Sequence, residues 1–507
     1  MCICGKIKKG AYYDSVALMN VGKALSALPG VVDAAVVMGT RENAGILERS
    51  GLWQELFDGT TDSDLLISVK AENEEVATAM LAEADELLTA SLKKGDSGDT
   101  AVTPWSLEGA VNLLPDANMV LISVAGRYAA HEAMKALELG RHVMLFSDNV
   151  SIEDELRLKQ VAHEKGLLVM GPDCGTAIIN GVPLAFANVV RRGGIGVVAA
   201  SGTGLQEVTC LISNEGAGIS QAIGTGGRDV KKAIGGIMFL DALRALADDE
   251  ETKVILLVSK PPHESVVAEI QKLAAGLSKP VISFFLGADT GVESLEASAL
   301  LAVASERGEP TETVTERLRA RDAELETLAK TEAAKCRQGQ RYVRGLFSGG
   351  TFCSEAQILW KDTITPLYSN APAGSAVEMK DVLQSEANTV IDLGEDEFTV
   401  GRPHPMIDFS LRNQRIREEA NDPETAVILL DVVLGYGSNM NPVEELDAVL
   451  REAVGKTLVV CSVTGTDQDP QNRSRVSAAL KAMGAIVMSS NAAACKLAGN
   501  IIRELGV

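Results

Sequence analysis

Val197-Val198-Ala199-Ala200-Ser201-Gly202-Thr203-Gly204 and Gly345-Leu346-Phe347-Ser348-Gly349-Gly350-Thr351 decide how this 507-residue chain reads. In each, an apolar run of strand length stops at a Ser-Gly turn, and a segment with helical spacing follows. That order spells strand, tight turn, helix start. A helix start carries unpaired backbone N–H groups and a partial positive charge, so a Gly-rich turn with hydroxyls there suits an anion, phosphate above all. The same residues equally suit plain helix capping, where Ser and Thr are favoured. Two such turns point to one anion held between two helices.

The surroundings of the first turn return around the second. Residues 193–309 alternate strands and helices: Gly224-Thr225-Gly226-Gly227-Arg228-Asp229 follows the turn, then a helix near 237–246, a strand at 253–258 and another near 280–287. Residues 341–507 repeat that order. Asp249-Glu250-Glu251-Thr252-Lys253-Val254-Ile255-Leu256-Leu257 comes back as Asp422-Pro423-Glu424-Thr425-Ala426-Val427-Ile428-Leu429-Leu430. Gly227-Arg228 comes back as Gly401-Arg402, Gly287-Ala288-Asp289 as Gly465-Thr466-Asp467, and Ser201-Gly202 as Ser348-Gly349. An ordered set of this kind marks a duplication. Two copies pack most naturally as a pseudo-twofold pair whose matching edges face one cleft. Both Ser-Gly turns then address the same anion, with Arg228 and Arg402 in the loops beside it. The planar fork of Arg suits phosphate or carboxylate, although either residue alone equally suits a surface ion pair.

Upstream, residues 99–192 read as a parallel αβ layer, with strands at 119–124, 142–146 and 167–170 separated by helices at 129–139 and 152–164. Sheets of this type bind ligands beyond the carboxyl ends of their strands. That edge carries Gly171-Pro172-Asp173-Cys174, in which Cys174 is either a nucleophile or a small packed residue. Residues 1–98 form a smaller α/β domain, with strands at 31–37 and 65–69, helices at 15–28 and 74–92, and a solvated Lys6, Lys8, Lys9 edge. Residues 93–99 read as a linker, and 310–340 as an exposed, charged helical connector. The fold class is α/β: several Rossmann-like or flavodoxin-like domains, two of them a tandem duplication.

Composition bounds the function. Hydrophobic residues make up 46% and charged residues 23%, ordinary globular usage. The net charge of −22, from 47 basic and 69 acidic residues, argues against nucleic acid or an anionic membrane as partner. An anionic substrate must therefore be held by local donors. No apolar run approaches the roughly 20 residues of a membrane span, and the first residues lack a signal-peptide pattern, so a cytoplasmic protein is expected. Eight scattered cysteines suit reduced thiols and outline no metal site, and 4% aromatic residues are too few for base-stacking platforms.

From Gly171-Pro172-Asp173-Cys174 through Ser201-Gly202-Thr203, Gly226-Gly227 and 249–258, the chain resembles the α subunit of succinyl-CoA synthetase. The second copy resembles the carboxyl-terminal ligase domain of that enzyme's β subunit, and 431–437, with Gly435 and Gly437, resembles its phosphate loop. As one polypeptide with an added amino-terminal domain, the chain resembles the FdrA family. The resemblance implies a CoA-binding-like domain at 99–192 and ligase domains at 193–309 and 341–507. Three departures stand out. The Gly-His-Ala-Gly loop of the synthetase is replaced by Gly287-Ala288-Asp289-Thr290-Gly291 without histidine; no ATP-grasp domain or Gly-x-x-x-x-Gly-Lys-Ser/Thr loop is found; and the Gly-rich turn that holds CoA is missing ahead of residue 119.

FdrA-like proteins are associated with oxamate carbamoyltransferase, which interconverts carbamoyl phosphate plus oxamate and N-carbamoyl-2-oxoglycine plus phosphate in anaerobic allantoin breakdown. The resemblance thus implies a transferase subunit acting on small anions with other subunits as partners. Phosphate would lie on Ser201, Gly202, Thr203 and Gly204 and on Ser348, Gly349, Gly350 and Thr351, near Gly226 and Gly227, with Arg228 or Arg402 balancing charge. One alternative keeps the acyl-CoA synthetase or acyl-phosphate-to-CoA transferase activity, with His263 or, beside Arg402, His404 as phospho-acceptor. The other is a non-catalytic subunit that binds CoA or a metabolite.

Overall fold

The computed structural model describes residues 1–507 except 12, 14, 27, 62, 94–103, 105, 400–402 and 507. Most of the expected linker and Arg402 therefore lie outside the described residues. The chain divides into two units, Met1–Trp105 with Asp396–His404, and Ser106–Glu395 with Pro405–Val507.

The smaller unit is an antiparallel sheet in which Leu65–Ala71 runs between Cys2–Lys8 and Val31–Met38. Side chains alternate across a strand, so Leu65, Ile67 and Val69 face the helices Ser15–Ser26 and Glu74–Lys93, while Leu66 packs on the other face with Leu47, Leu52 and Phe57. The sequence masks the strand Cys2–Lys8 because lysines interrupt its apolar alternation. Those lysines do not form a free solvated edge: Lys6 and Lys8 both pair with Asp85.

The larger unit holds three sheets. Met119–Ile122, His142–Leu145 and Val169–Met170 make a small parallel one with the helices Gly126–Glu138 and Ile152–Lys165. The first copy is a six-stranded sheet ordered Val281–Phe285, Val254–Ser259, Arg192–Ala200, Ile219–Gly224, Thr176–Ile179, Val182–Ala185. Its first four strands are parallel, and the last two are a hairpin added at the edge. The second copy is seven-stranded. At its heart Leu458–Thr464, Thr425–Val433, Tyr342–Phe347 and Asn388–Asp392 stand in the same order as the first four strands of copy one. The duplication is thus visible as shared topology, with Leu367–Ser369, Val377–Glu378 and Ile486–Met488 added at the edges.

One apolar core serves both copies. Leu205, Val208 and Ile212 of the helix Gly202–Asn214 belong to the same cluster as Phe352, Cys353, Ala356 and Trp360 of the helix Gly350–Trp360 and Leu497, Ile501 and Ile502 of the helix Asn491–Glu504. The charged connector is the helix Thr311–Ala333. It is not wholly exposed, since Leu325 and Ala329 are buried in that cluster and Asp322 pairs with Lys496 at 2.6 Å.

Candidate functional site

The two Ser-Gly turns meet. Each ends the first strand of its copy, and the shared core sets the helices that follow them side by side. Ser201 caps the helix Gly202–Asn214 by accepting from the Gly204 amide at 3.1 Å, and its hydroxyl shares a 2.6 Å hydrogen bond with that of Thr351 in the first turn of the helix Gly350–Trp360. Two helix N-termini from two different sheets are thereby tied together, and their partial positive charges add. Ser201 and Thr351 are buried, Thr203 and Gly350 half-buried, and Gly202 exposed at the mouth. The structural register pairs Ser201 with Gly349, the two residues ahead of the helices, rather than with Ser348 as the sequence suggests.

Ser348 has another task. Its amide and hydroxyl donate to the Asp431 carboxylate at 2.8 Å each, and the Gly349 amide donates to it at 3.0 Å. Arg412, buried over the Phe409 ring, donates to the Asp431 carbonyl at 2.6 Å. An internal carboxylate therefore occupies the place where Ser348 and Gly349 were expected to bind phosphate. Those donors are used up, and the second turn contributes Gly350 and Thr351.

Two residues complete the mouth. A side chain on Gly350 would overlap Asp392 Oδ2 and stand 2.8 Å from Lys260 Nζ. Lys260 directly follows the strand Val254–Ser259 of copy one, and Asp392 ends the strand Asn388–Asp392 of copy two. Asp392 is 3% exposed, and burial pushes its carboxyl up to about 6. Lys260 passes for an ordinary residue after a strand, so only the pairing of the copies reveals either residue as part of a site.

The other expected site residues lie elsewhere. Arg228 pairs through Nε with Glu155 at 2.9 Å and donates to the Val150 carbonyl at 2.8 Å. It joins a buried cluster in which Lys159 bonds Glu155 and Asp229 at 2.8 Å each, fixing the small parallel layer to copy one rather than facing the turns. Gly226, at φ +82°, is glycine because the 171–172 backbone lies against it, and Gly171, at φ +109°, because the Leu145 carbonyl oxygen fills the place of a Cβ; Gly227 stands in open space. Cys174 is buried, donates to the Gly224 and Thr176 carbonyls, and is pushed by burial up to about 12, which fits a packed residue and not a thiolate nucleophile. Asp173 is exposed beside it.

Gly435 and Gly437 make way for the Ala187 and Phe186 segment, and the amides of Gly435 and Tyr436 donate to Gln471 and to the Ala187 carbonyl. The expected phosphate loop is thus a chain-packing contact. His263 caps the helix Glu264–Ala275, with Nδ1 accepting from the Ser265 amide. His404 belongs to the segment grouped with the smaller unit, and burial pushes its imidazole down to about 4.

With that geometry in view, comparison with known proteins is informative. The chain is 41% identical over 497 residues to the Escherichia coli (strain K12) protein YahF, covering 96% of each. It belongs to the YahF family. Within this YahF-family chain, a model described as CoA-ligase matches residues 346–501, one described as CoA binding domain matches 191–287, and one described as AllF, heavy metal-associated domain matches 1–104. The CoA-binding match thus falls on copy one and not on the 99–192 layer. The succinate–CoA ligase [ADP-forming] subunit alpha 2 of Archaeoglobus fulgidus is 30% identical over 178 residues, 34% of this chain and 60% of that subunit. The dinucleotide-forming acetyl-coenzyme A synthetase 1 of Ca. Korarchaeum cryptofilum aligns over 77% of this chain and 82% of its own at 16% identity and a TM-score of 0.29. The chain is thus similar to succinate–CoA ligase subunits over about a third of its length.

These descriptions imply CoA. In the 106–192 layer the helix Gly126–Glu138 opens on a single glycine, and the carbonyl oxygens of Asp148 and Asn149 stand 2.2 and 2.5 Å from where a Cβ on Gly126 would lie. Acceptors packed there do not fit a diphosphate, so no role in holding CoA is assigned to this turn. Among the described residues no group of three or more His, Cys, Asp or Glu is arranged to hold a metal, and no helix is long and apolar enough to cross a membrane.

Proposed function

We propose that this chain is an acyl-transferring enzyme subunit of the acid-thiol ligase class, in which phosphate is the acceptor or donor of the acyl group at the junction of the two helix starts. The 2.6 Å bond between Ser201 and Thr351 carries this reading, because it fuses two positive helix ends into one anion site. The first-turn amides of Gly202, Thr203, Gly350 and Thr351, with the Lys260 ammonium, would orient the phosphate. One phosphate oxygen then attacks the acyl carbonyl carbon; the new C–O bond forms as the bond to the leaving group breaks, and the electron pair departs on that group's sulfur or nitrogen, which takes up a proton if its conjugate acid is weak. The protein's part is positioning and fixed charge. On this reading 193–309 and 341–507 are the two ligase copies, 310–340 is the connector, 99–192 is an inherited layer, and 1–98 is a separate module.

In a second reading the same site serves a transferase, in which the acyl group is carbamoyl and its other carrier oxamate, as the FdrA resemblance implies. Two observations favour this second reading: the AllF-named match at 1–104, and a 286–293 loop in which no histidine is available to take a phosphoryl group. The test is to supply inorganic phosphate with either N-carbamoyl-2-oxoglycine or succinyl-CoA, using the chain alone and mixed with the products of neighbouring genes. Carbamoyl phosphate from the first donor establishes the carbamoyl reading, and succinyl phosphate from the second establishes the general ligase reading. No acyl phosphate in any mixture overturns both.

A further inference from the structure

Lys260 and Asp392 reach Gly350 from opposite copies of the duplication, one from the end of each sheet. Asp392 is held hard: Asn370 donates to its carbonyl at 3.0 Å and accepts from its amide at 2.9 Å, while the Gly394 amide donates to Oδ1 at 2.9 Å. Oδ2, the oxygen turned toward Gly350, receives no hydrogen bond among the described residues, and Lys260 Nζ makes no ion pair there. The carboxylate of a 97%-buried aspartate and the ammonium of a half-buried lysine thus border one space, at the joined helix ends, without satisfying each other. Structural ion pairs close to about 3 Å; this one stays open.

We propose that Lys260 and Asp392 form a proton-coupled subsite for a tetrahedral or carboxylate oxyanion, in which Lys260 supplies the fixed positive charge and Asp392 Oδ2 takes up a proton as the anion enters. The inference rests on the reading that an anion binds at the paired turns, and adds which side chains hold it and with what proton balance. The charges facing Asp392 are Lys260, which holds its carboxyl down, and Glu395 and Asp431, which together with burial push it up to about 6. A bound dianion adds negative charge on the same side as Glu395 and Asp431, so uptake of a proton by Asp392 favours binding. The same proton is then placed for the leaving atom: when the acyl–leaving-group bond breaks, its electron pair stays on that atom, which takes the proton from Asp392 and leaves Asp392 as the carboxylate, and solvent reprotonates that carboxylate when the next anion enters.

Sulfate tests this cleanly because it does not itself titrate between about pH 5 and pH 8, where the proton in question moves. Calorimetric titration of the whole chain with sulfate should give an affinity that rises about tenfold from pH 8 to pH 5.5. Lys260→Met should weaken it about tenfold at both values, and Asp392→Asn should bind at pH 8 as wild type does at pH 5.5, with the pH dependence gone. Circular dichroism and melting profiles identify any variant that has lost its fold; for such a variant Lys260→Gln or Asp392→Ser takes its place. Sulfate binding that ignores Lys260, or a pH dependence that survives at Asp392→Asn, overturns the subsite while leaving the paired-turn reading intact. A wild-type chain that binds neither sulfate nor phosphate overturns that reading as well.

Discussion

At the scale of single residues, space and hydrogen bonding separate the site from its support. Gly202 faces open space, its nearest neighbour being Thr176 Oγ1 at 3.8 Å from the position of an added Cβ. Gly202→Val should therefore leave the melting temperature within a few degrees of wild type while obstructing the mouth. Gly349 differs, because a Cβ there would stand 2.9 Å from both Phe352 Cδ2 and Thr203 Oγ1. Gly349→Val should lower stability by about 1–3 kcal/mol, read from a denaturant titration, and so cannot report on phosphate alone. Ser201→Ala removes a helix cap and leaves the buried Thr351 hydroxyl without its partner, for a loss of about 1–2 kcal/mol by the same measurement. Cys174, with its thiol at about 12, should remain unlabelled by iodoacetamide in the folded protein near pH 7.5; rapid labelling there would contradict its packed role. Ser201, Gly202 and Thr351 were legible in the sequence because turn chemistry is local. Lys260 and Asp392 were not, since each looks ordinary until two distant strand ends are brought together. Arg228 misled for the converse reason: a Gly-Arg after a strand is the same string whether its fork meets substrate or Glu155.

At the scale of elements, the two copies cap each other's helices. Glu207, in the helix Gly202–Asn214, accepts from the Asn491 amide at 3.0 Å and the Thr464 hydroxyl at 2.6 Å. Glu355, at the equivalent position of the helix Gly350–Trp360, accepts from the Leu295 amide at 2.8 Å and the Asn491 side chain at 2.8 Å. Each carboxylate thus sits at the start of a helix belonging to the other copy, and the crossing holds the paired turns in register. Burial pushes both carboxyls up, that of Glu355 to about 7. The folded chain therefore keeps a proton on Glu355 that the unfolded chain releases near 4.5. The stability this group contributes is fully present below about pH 4.5 and falls as the pH rises to 7, by on the order of 3 kcal/mol in total. His404 acts in the opposite sense: its neutral form is required, so stability is lost as pH falls from about 6.5 through 4. The diagnostic is consequently a difference. Glu355→Gln should raise the melting temperature above wild type at pH 8 and make little change at pH 5, and an equal shift at both would contradict the assignment. Sequence periodicity finds these helices, but a glutamate in a helix gives no sign that it caps a partner far along the chain.

At the scale of the larger unit, a duplication has become a single core that joins the Ser201 and Thr351 turns. The duplication and the returning Asp249–Leu257 pattern were legible because repeats preserve spacing, whereas the edge strands Leu367–Ser369 and Val377–Glu378 were too short to declare themselves. Because Leu205, Val208 and Ile212 share a cluster with Phe352, Ala356 and Trp360, neither copy can bury its helix alone. Residues 106–309 and 310–507 produced separately should aggregate or bind hydrophobic dyes, and co-production should restore a soluble pair; independent folding of either half would contradict the shared core. The account's central claim is that the joined helix ends hold phosphate, and it is tested most directly by titrating the whole chain and its Gly202→Val variant with inorganic phosphate, following the 31P line width. Broadening with the wild-type protein that is lost in a still-folded Gly202→Val is the predicted result. Equal broadening with both proteins, or none with either, would contradict it.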